Sequence, residues 1–155
     1  MNSLFMKDLE IRKITTNQDA KLCARLMSDS EPWITLKRDY RKSLNLFNNS
    51  SKERYIAYLK KQFVGFILLD MKGVFAGYIQ SIAVDPKLRN KGIGKKLLQF
   101  AEKRIFNELE NTFICVSSFN HDVKKMYLKY GYEIIGELKD FVIKGQSEIL
   151  LRKQK

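Results

Sequence analysis

Short runs of residues predict strands along much of this chain, either because apolar and polar positions alternate or because the run is largely apolar and β-branched. The first run is Leu9 to Ile14, where the alternation weakens toward the end. Three longer runs predict an antiparallel meander: Arg54 to Leu59, Phe63 to Asp70 and Gly77 to Val84. Three more runs predict later strands: Thr112 to Val116, Tyr132 to Leu138 and Glu148 to Arg152. The pattern therefore predicts a sheet of about seven strands.

Apolar residues that recur every three or four positions predict about four helices between these strands. The first begins at Asp19 and ends at a break near residue 29, the second runs from Trp33 to Phe47, and the third runs from about Gly92 to near Asn107. A short fourth helix is marked by Val123, Met126, Tyr127 and Tyr130. Since no repeat or interdomain linker is visible, we expect one α/β (α+β) domain over residues 1–155.

Composition narrows the class of protein. With 155 residues, 45% of them hydrophobic, the chain can bury one ordinary core. The longest apolar run, Phe63 to Leu69, is far shorter than the roughly 20 residues that span a bilayer. The segment Met1 to Lys13 has no uninterrupted apolar stretch like that of a signal peptide. Cys23 and Cys115 lie far apart and show neither a disulfide framework nor metal-type spacing. From these observations together we expect a cytoplasmic protein with no metal and no membrane contact.

The net charge of the chain indicates an anionic partner. The chain has 29 Lys and Arg residues against 17 Asp and Glu residues, a net charge of +12. Between Pro86 and Arg104 lie seven basic residues and one acidic residue, Glu102. Nucleic acid, an acidic protein and a phosphorylated cofactor all satisfy these electrostatics.

The segment from Ile82 to Lys96 carries the clearest chemistry, because it predicts a strand, a basic glycine loop and a helix start in succession. Gly92 and Gly94 let backbone N–H groups approach a ligand, and the helix N-terminus favours an anion. Neither a Walker A sequence nor a complete Gly-x-Gly-x-x-Gly is present, which disfavours nucleotide hydrolysis and ordinary dinucleotide binding. The remaining interpretation of this segment is a pyrophosphate-binding loop of another kind.

This loop resembles that of the GNAT superfamily of N-acetyltransferases, whose form is Arg/Gln-x-x-Gly-x-Gly/Ala. Residues Arg89-Asn90-Lys91-Gly92-Ile93-Gly94 match it throughout. Downstream, Asn120, Tyr127 and Gly131-Tyr132 are similar to the family's Asn-x6-Tyr-x3-Gly-Phe/Tyr signature. The resemblance covers roughly residues 9 to 151 in element order. It implies a GNAT-like mixed, mainly antiparallel sheet, and acetyl transfer from acetyl-CoA to an amine.

The resemblance also implies roles for particular residues. Ile82 and Val84 would pair with the pantetheine arm of coenzyme A, and Asn120 would contact that arm. The pyrophosphate of coenzyme A would be held by the backbone amides of Arg89, Asn90, Lys91, Gly92, Ile93, Gly94 and Lys95. Tyr127 would lie beside the thioester sulfur as general acid, and the Val84 N–H would hold the carbonyl oxygen.

The general base is not given by the motifs. The subgroup that acetylates protein N-termini commonly has a glutamate five residues before the motif asparagine, and Cys115 stands there. Cys115 is read as a small apolar filler rather than an acyl carrier. Glu31 and Glu148 are the candidate bases, acting through water. His121 is expected at the surface, and Trp33 is assigned equally to the acceptor pocket and to core packing.

Two alternatives stay open beside the enzyme: a catalytically silent CoA-binding module and a basic nucleic-acid-binding protein. Direct attack of a primary amine on the thioester is the preferred mechanism. The acceptor remains open among polyamines, aminoglycosides, amino acids, other small amines and protein amino groups. A homodimer is a further expectation from the resemblance.

Overall fold

The computed structural model describes residues 6–155, so the predicted lack of a signal segment in Met1 to Lys13 falls partly outside the described residues. The strands are β1 (Leu9–Lys13), β2 (Glu53–Leu59), β3 (Gln62–Asp70), β4 (Tyr78–Val84), β5 (Asn111–Ser117), β6 (Glu133–Lys139) and β7 (Ser147–Gln154). The helices of eight or more residues are α1 (Asn17–Ser28), α2 (Tyr40–Phe47), α3 (Ile93–Phe106) and α4 (His121–Lys129). A single 3₁₀ turn covers Pro86–Leu88.

The strands form one sheet in the order β1-β2-β3-β4-β5-β7-β6. Neighbouring strands pair antiparallel, apart from β4 and β5, which are parallel. The predicted meander is therefore β2, β3 and β4. These findings confirm the predicted mixed, mainly antiparallel sheet with its flanking helices.

Helix α1 is fixed at its start by local hydrogen bonds. The Thr16 hydroxyl accepts from the Asp19 backbone N–H at 3.1 Å, which is an N-cap. Arg12 on β1 binds the Asp19 carboxylate at 2.8 Å, and the Tyr58 hydroxyl on β2 donates to it at 3.1 Å. The arginine lowers the pKa of Asp19 to about 2. These contacts tie α1 to the first two strands.

The core lies on both faces of the sheet, because adjacent residues of β2 and β3 point to opposite sides. Helices α1 and α2 cover one face, where the buried side chains include Cys23, Met27, Phe47, Ile56 and Phe66. Helices α3 and α4 cover the other face, where they include Ile67, Ile79, Leu97, Ile105 and Tyr127. The core thus sits in two apolar layers separated by the sheet.

The predicted helix from Trp33 to Phe47 is wrong in its first half, because the helix begins only at Tyr40. Residues 31–37 form successive turns, and Lys37 has φ of 56°, in the left-handed region. The helix begins only after Asp39, whose carboxylate accepts from the Lys42 N–H at 2.8 Å. The apolar spacing before Tyr40 arises from turns packed on the sheet, which repeat closely enough to imitate a helix.

Strands β4 and β5 separate soon after they meet. They pair only at Tyr78↔Phe113 and Ile79↔Ile114. In the same region the register between β3 and β4 shifts, which leaves Gln80 as an extra residue in β4. A gap therefore opens beside the second half of β4.

Candidate functional site

The gap between β4 and β5 continues into a cleft of about 1120 Å³. Its walls come from the turns before α2, from β4, from the loop and first turn of α3, from β5 with α4, and from the β6–β7 connection. The predicted site residues that line it are Glu31, Ile82, Val84, Arg89, Asn90, Gly94, Asn120, Tyr127 and Glu148. Distant parts of the chain thus supply one cavity.

The second half of β4 presents backbone groups to this cleft. The N–H of Asp85 donates to the Val64 carbonyl on β3 at 2.9 Å. Since successive residues of a strand point their N–H and C=O groups to opposite sides, those of Val84 and Ile82 face the gap. Arg89 Nε donates to the Val84 carbonyl at 3.3 Å, and the Val84 N–H is directed at the cleft.

Two glycines shape the start of α3 differently. Gly92 precedes the helix with φ of 85°, a conformation that side chains other than glycine rarely adopt. A Cβ on Gly94 would meet only the Val84 Cγ2 atom, at an ordinary 3.6 Å. The fold therefore needs glycine at 92 but tolerates a side chain at 94. Because Gly94 lines the cleft, its missing side chain leaves the helix's first free amides accessible.

Four predicted loop residues do not line the cleft: Lys91, Gly92, Ile93 and Lys95. Ile93 is a buried core residue, 1% exposed. The Lys95 ammonium lies 5.9 Å from the ring centroid of Tyr130, at the C-terminal end of α4. Any contribution of these residues to a ligand in the cleft must come from backbone or from the field of the helix terminus.

Tyr127 combines burial with access to the cleft. Only 3% of the residue is exposed, and its ring packs edge-on against Tyr132 with centroids 5.3 Å apart. Burial, together with the charge of Glu102, raises the pKa of the Tyr127 phenol. The phenol therefore keeps its proton at neutral pH and can donate it.

Asn120 stands at the N-cap of α4 but makes no capping hydrogen bond through its side chain. Asparagine is a favoured capping residue, so an unused amide at this position is informative. The residue lines the cleft. Its amide is thus free to bind a ligand, whereas the next residue, His121, is exposed and does not line the cavity.

Glu148 is the buried carboxylate of the site. It is 5% exposed and accepts a hydrogen bond from the Ser117 hydroxyl across β5 and β7 at 2.7 Å. Burial raises the pKa of Glu148, and the Ser117 hydrogen bond opposes that shift. Burial raises the pKa of Cys115 and of Tyr78, and the charge of Glu148 adds to both shifts. The buried carboxylate of the site therefore comes from β7.

Glu31 lies at the exposed rim. Its carboxylate accepts hydrogen bonds from the Thr35 backbone N–H at 3.1 Å and the Thr35 hydroxyl at 3.0 Å. Trp33 lies nearby and lines the cleft, and its ring also packs on that of Phe66 with centroids 5.9 Å apart. Glu31 is thus committed to its own turn, whereas Glu148 faces the interior.

Sequence reasoning missed Arg38, Tyr78 and Ser117, which all line the cleft. Ser117 and Tyr78 could have been found by following β5 and β4 toward the gap. Arg38 had no such signal, because Lys37, Arg41 and Lys42 surround it in a segment predicted as helix.

From residue 6 onward, no helix is long and apolar enough to cross a membrane. Within residues 6–155, no cluster of three or more His, Cys, Asp or Glu side chains is arranged to hold a metal ion.

Comparison with known proteins identifies relatives of this fold. A sequence model described as the Acetyltransferase (GNAT) family matches residues 19–132. A protein assigned to the GNAT family from Desulfovibrio desulfuricans superposes with a TM-score of 0.79 at 19% identity, covering 94% of this chain and 98% of that one. Ard1 from Thermoplasma volcanium gives 0.77 at 18% identity, covering 95% and 97%. A GNAT-family acetyltransferase from Elizabethkingia anophelis, solved with acetyl-CoA bound, gives 0.68 at 23% identity, covering 96% and 99%.

Proposed function

This chain belongs to the acetyltransferase (GNAT) family, and from that premise we propose that it moves an acetyl group from acetyl-CoA to a primary amine by direct attack on the thioester. The observation that carries the proposal is the cleft itself. One wall offers the free amides of β4 and of the α3 N-terminus, and the other offers the buried carboxylate of Glu148. The comparisons support neither the nucleic-acid-binding nor the catalytically silent alternative.

The cofactor half uses backbone groups. The amides of Ile82 and Val84 suit the pantetheine arm, because they face the gap that β5 has left. The first turn of α3 suits the pyrophosphate, since its free N–H groups and helix dipole favour an anion. The Asn120 amide adds a contact to the arm. The structure of the Elizabethkingia protein, with acetyl-CoA bound to the same fold, supports this assignment.

The catalytic half uses side chains. Acetyl-CoA supplies the activated thioester. Glu148 accepts, through water, the proton that an ammonium group must lose before its nitrogen can attack. The Val84 N–H donates a hydrogen bond to the carbonyl oxygen as negative charge develops there. Tyr127 gives its proton to the sulfur as the carbon–sulfur bond breaks, and the proton then lost by the new amide nitrogen restores the phenol.

Direct transfer is favoured over an acyl-enzyme on Cys115. Only a thiolate is an effective nucleophile. Burial, with the charge of Glu148, raises the pKa of Cys115, and so keeps the thiol protonated. Glu31 is the weaker candidate base, because its carboxylate already accepts two hydrogen bonds from Thr35. We further propose that the whole transfer takes place in one cytoplasmic domain, residues 1–155, and that the protein forms a homodimer.

The test is release of free CoA thiol from acetyl-CoA in the presence of a panel of primary amines, with the acetylated product identified by mass spectrometry. We expect thiol release that depends on an amine and disappears in Glu148→Gln. Glu31→Gln is the matched control, and we expect it to keep its activity. Amine-independent thiol release, or a fully active Glu148→Gln protein, would contradict the proposal.

A further inference from the structure

Arg38 lies in the cleft without a carboxylate partner. Among the arginines of residues 6–155, three form ion pairs with acidic side chains (Arg12, Arg104 and Arg152), and Arg38 is one of those that form none. Arg38 is nevertheless partly buried. A guanidinium removed from water without a partner is unfavourable, and its planar fork fits a carboxylate. The position therefore suits an anionic group that arrives with a ligand.

Arg38 and Glu148 line the same cavity, but the two do not form an ion pair. Tyr78 lies in this cavity too: burial raises the pKa of its phenol, the charge of Glu148 adds to that shift, and the charge of Arg38 opposes it. All three side chains line the same cavity. The cleft thus presents an unpaired positive group and a negative group, which a molecule that carries both charges can bridge.

The cleft also has apolar side chains in its walls. Trp33 and Leu36 line it from the turns before α2. Phe141 and Val142 line it from the β6–β7 connection, and they are 61% and 39% exposed. Large apolar side chains exposed around a cavity are typical of a surface that a ligand covers.

We propose that the acceptor is an amino acid with an apolar side chain, whose carboxylate is bound by Arg38 while its amine faces Glu148. The inference rests on the proposed function, because it names the acceptor of that transfer. The amine would be the group that is acetylated. The apolar side chain would pack against Trp33 and Phe141.

The experiment compares amines that differ by one carboxylate: phenylalanine with phenethylamine, and leucine with 3-methylbutylamine. We expect kcat/KM to be roughly 10- to 100-fold higher for the amino acid of each pair, as for a charged hydrogen-bonded contact. Arg38→Met should abolish this preference. Arg41→Met is the matched control, because Arg41 is exposed and does not line the cleft. Equal use of both members of a pair, or a preference that survives Arg38→Met, overturns the inference.

A binding measurement separates this inference from the proposed function. Calorimetric titration with N-acetylphenylalanine and with N-acetylphenethylamine needs no acetyl transfer. We expect the first to bind more tightly to the wild-type protein but not to Arg38→Met. Indistinguishable binding of the two overturns the carboxylate site, even if acetyl-CoA binds and is turned over. Selective binding without any turnover would sustain the carboxylate site and count against the transferase.

Discussion

The two halves of the cleft present different kinds of chemical group to a ligand. Along β4 and the first turn of α3, the groups that face the cavity are backbone amides, such as that of Val84. Across the cavity the groups are side chains from well-separated segments, among them Arg38, Tyr78 and Glu148. A backbone site is fixed by the fold and survives most substitutions, whereas a side-chain site can be removed one residue at a time. The comparison suggests that cofactor binding and acceptor chemistry can be damaged independently.

The largest effect is expected for a substitution of Glu148, which should damage the side-chain half of the cleft and leave the backbone half intact. Replacing Glu148 with Gln keeps the shape and can still accept a hydrogen bond from Ser117, but removes the base. We expect kcat to fall on the order of 10³-fold, within the range for a lost general base. Acetyl-CoA affinity should stay unchanged in a calorimetric titration. A comparable loss of acetyl-CoA affinity would mean that the halves are not independent.

Tyr127 lies where the two halves meet, and Tyr127→Phe should lower kcat on the order of 10²-fold by removing the proton donor. Thiol release under saturating acetyl-CoA measures this effect. The control is Tyr132→Phe, because Tyr132 packs on the same ring but donates to Glu102 at 3.0 Å and does not line the cleft. If Tyr127→Phe and Tyr132→Phe lose equal activity, the loss comes from disturbed packing of the two rings and not from a missing proton donor.

The pH profile should report the buried base. Burial raises the pKa of Glu148, and a base works only when it is ionised. Activity should therefore fall as pH drops through that raised value, by about tenfold per unit at the acid limit. Ser117→Ala removes a hydrogen bond that favours the carboxylate, so the acid limb should move to higher pH. If the acid limb stays at the same pH in Ser117→Ala, the group that titrates is not Glu148.

The smallest effect is expected at the rim. Because the carboxylate of Glu31 is exposed and bound to Thr35, Glu31→Gln should change kcat/KM by less than about threefold, well below the loss expected for a general base. Steady-state kinetics with the best acceptor measures it. A loss as large as that of Glu148→Gln would transfer the base to Glu31.

The sequence predicted the backbone half better than the side-chain half, and the reason is physical. The loop from Arg89 to Gly94 is contiguous, and its glycines are required by local geometry, such as the positive φ of Gly92. The order of strands and helices was also predictable, since their periodicity is local. By contrast, Ser117 and Glu148 meet only because β5 pairs with β7.

The turns before α2 were the hardest part to predict. Their apolar residues recur with nearly helical spacing, while the true helix start depends on the side chain of Asp39. Arg38 lies just before that cap, and nothing local distinguishes it from the basic residues around it. Its place in the site follows from a cavity whose other walls come from strands far along the chain.

The central claim is that the backbone at the start of α3 holds acetyl-CoA, and a calorimetric titration of the folded protein tests it most directly. Gly94→Glu is the informative variant, because the fold leaves room for a side chain there while the cleft would receive bulk and negative charge. Gly136→Glu is the matched control, since a Cβ at that position meets nothing within 4 Å and Gly136 does not line the cleft. We predict that acetyl-CoA binds the wild-type and Gly136→Glu proteins, and that binding is lost in Gly94→Glu. Undiminished binding to a folded Gly94→Glu protein, or none to the wild type, would contradict the account.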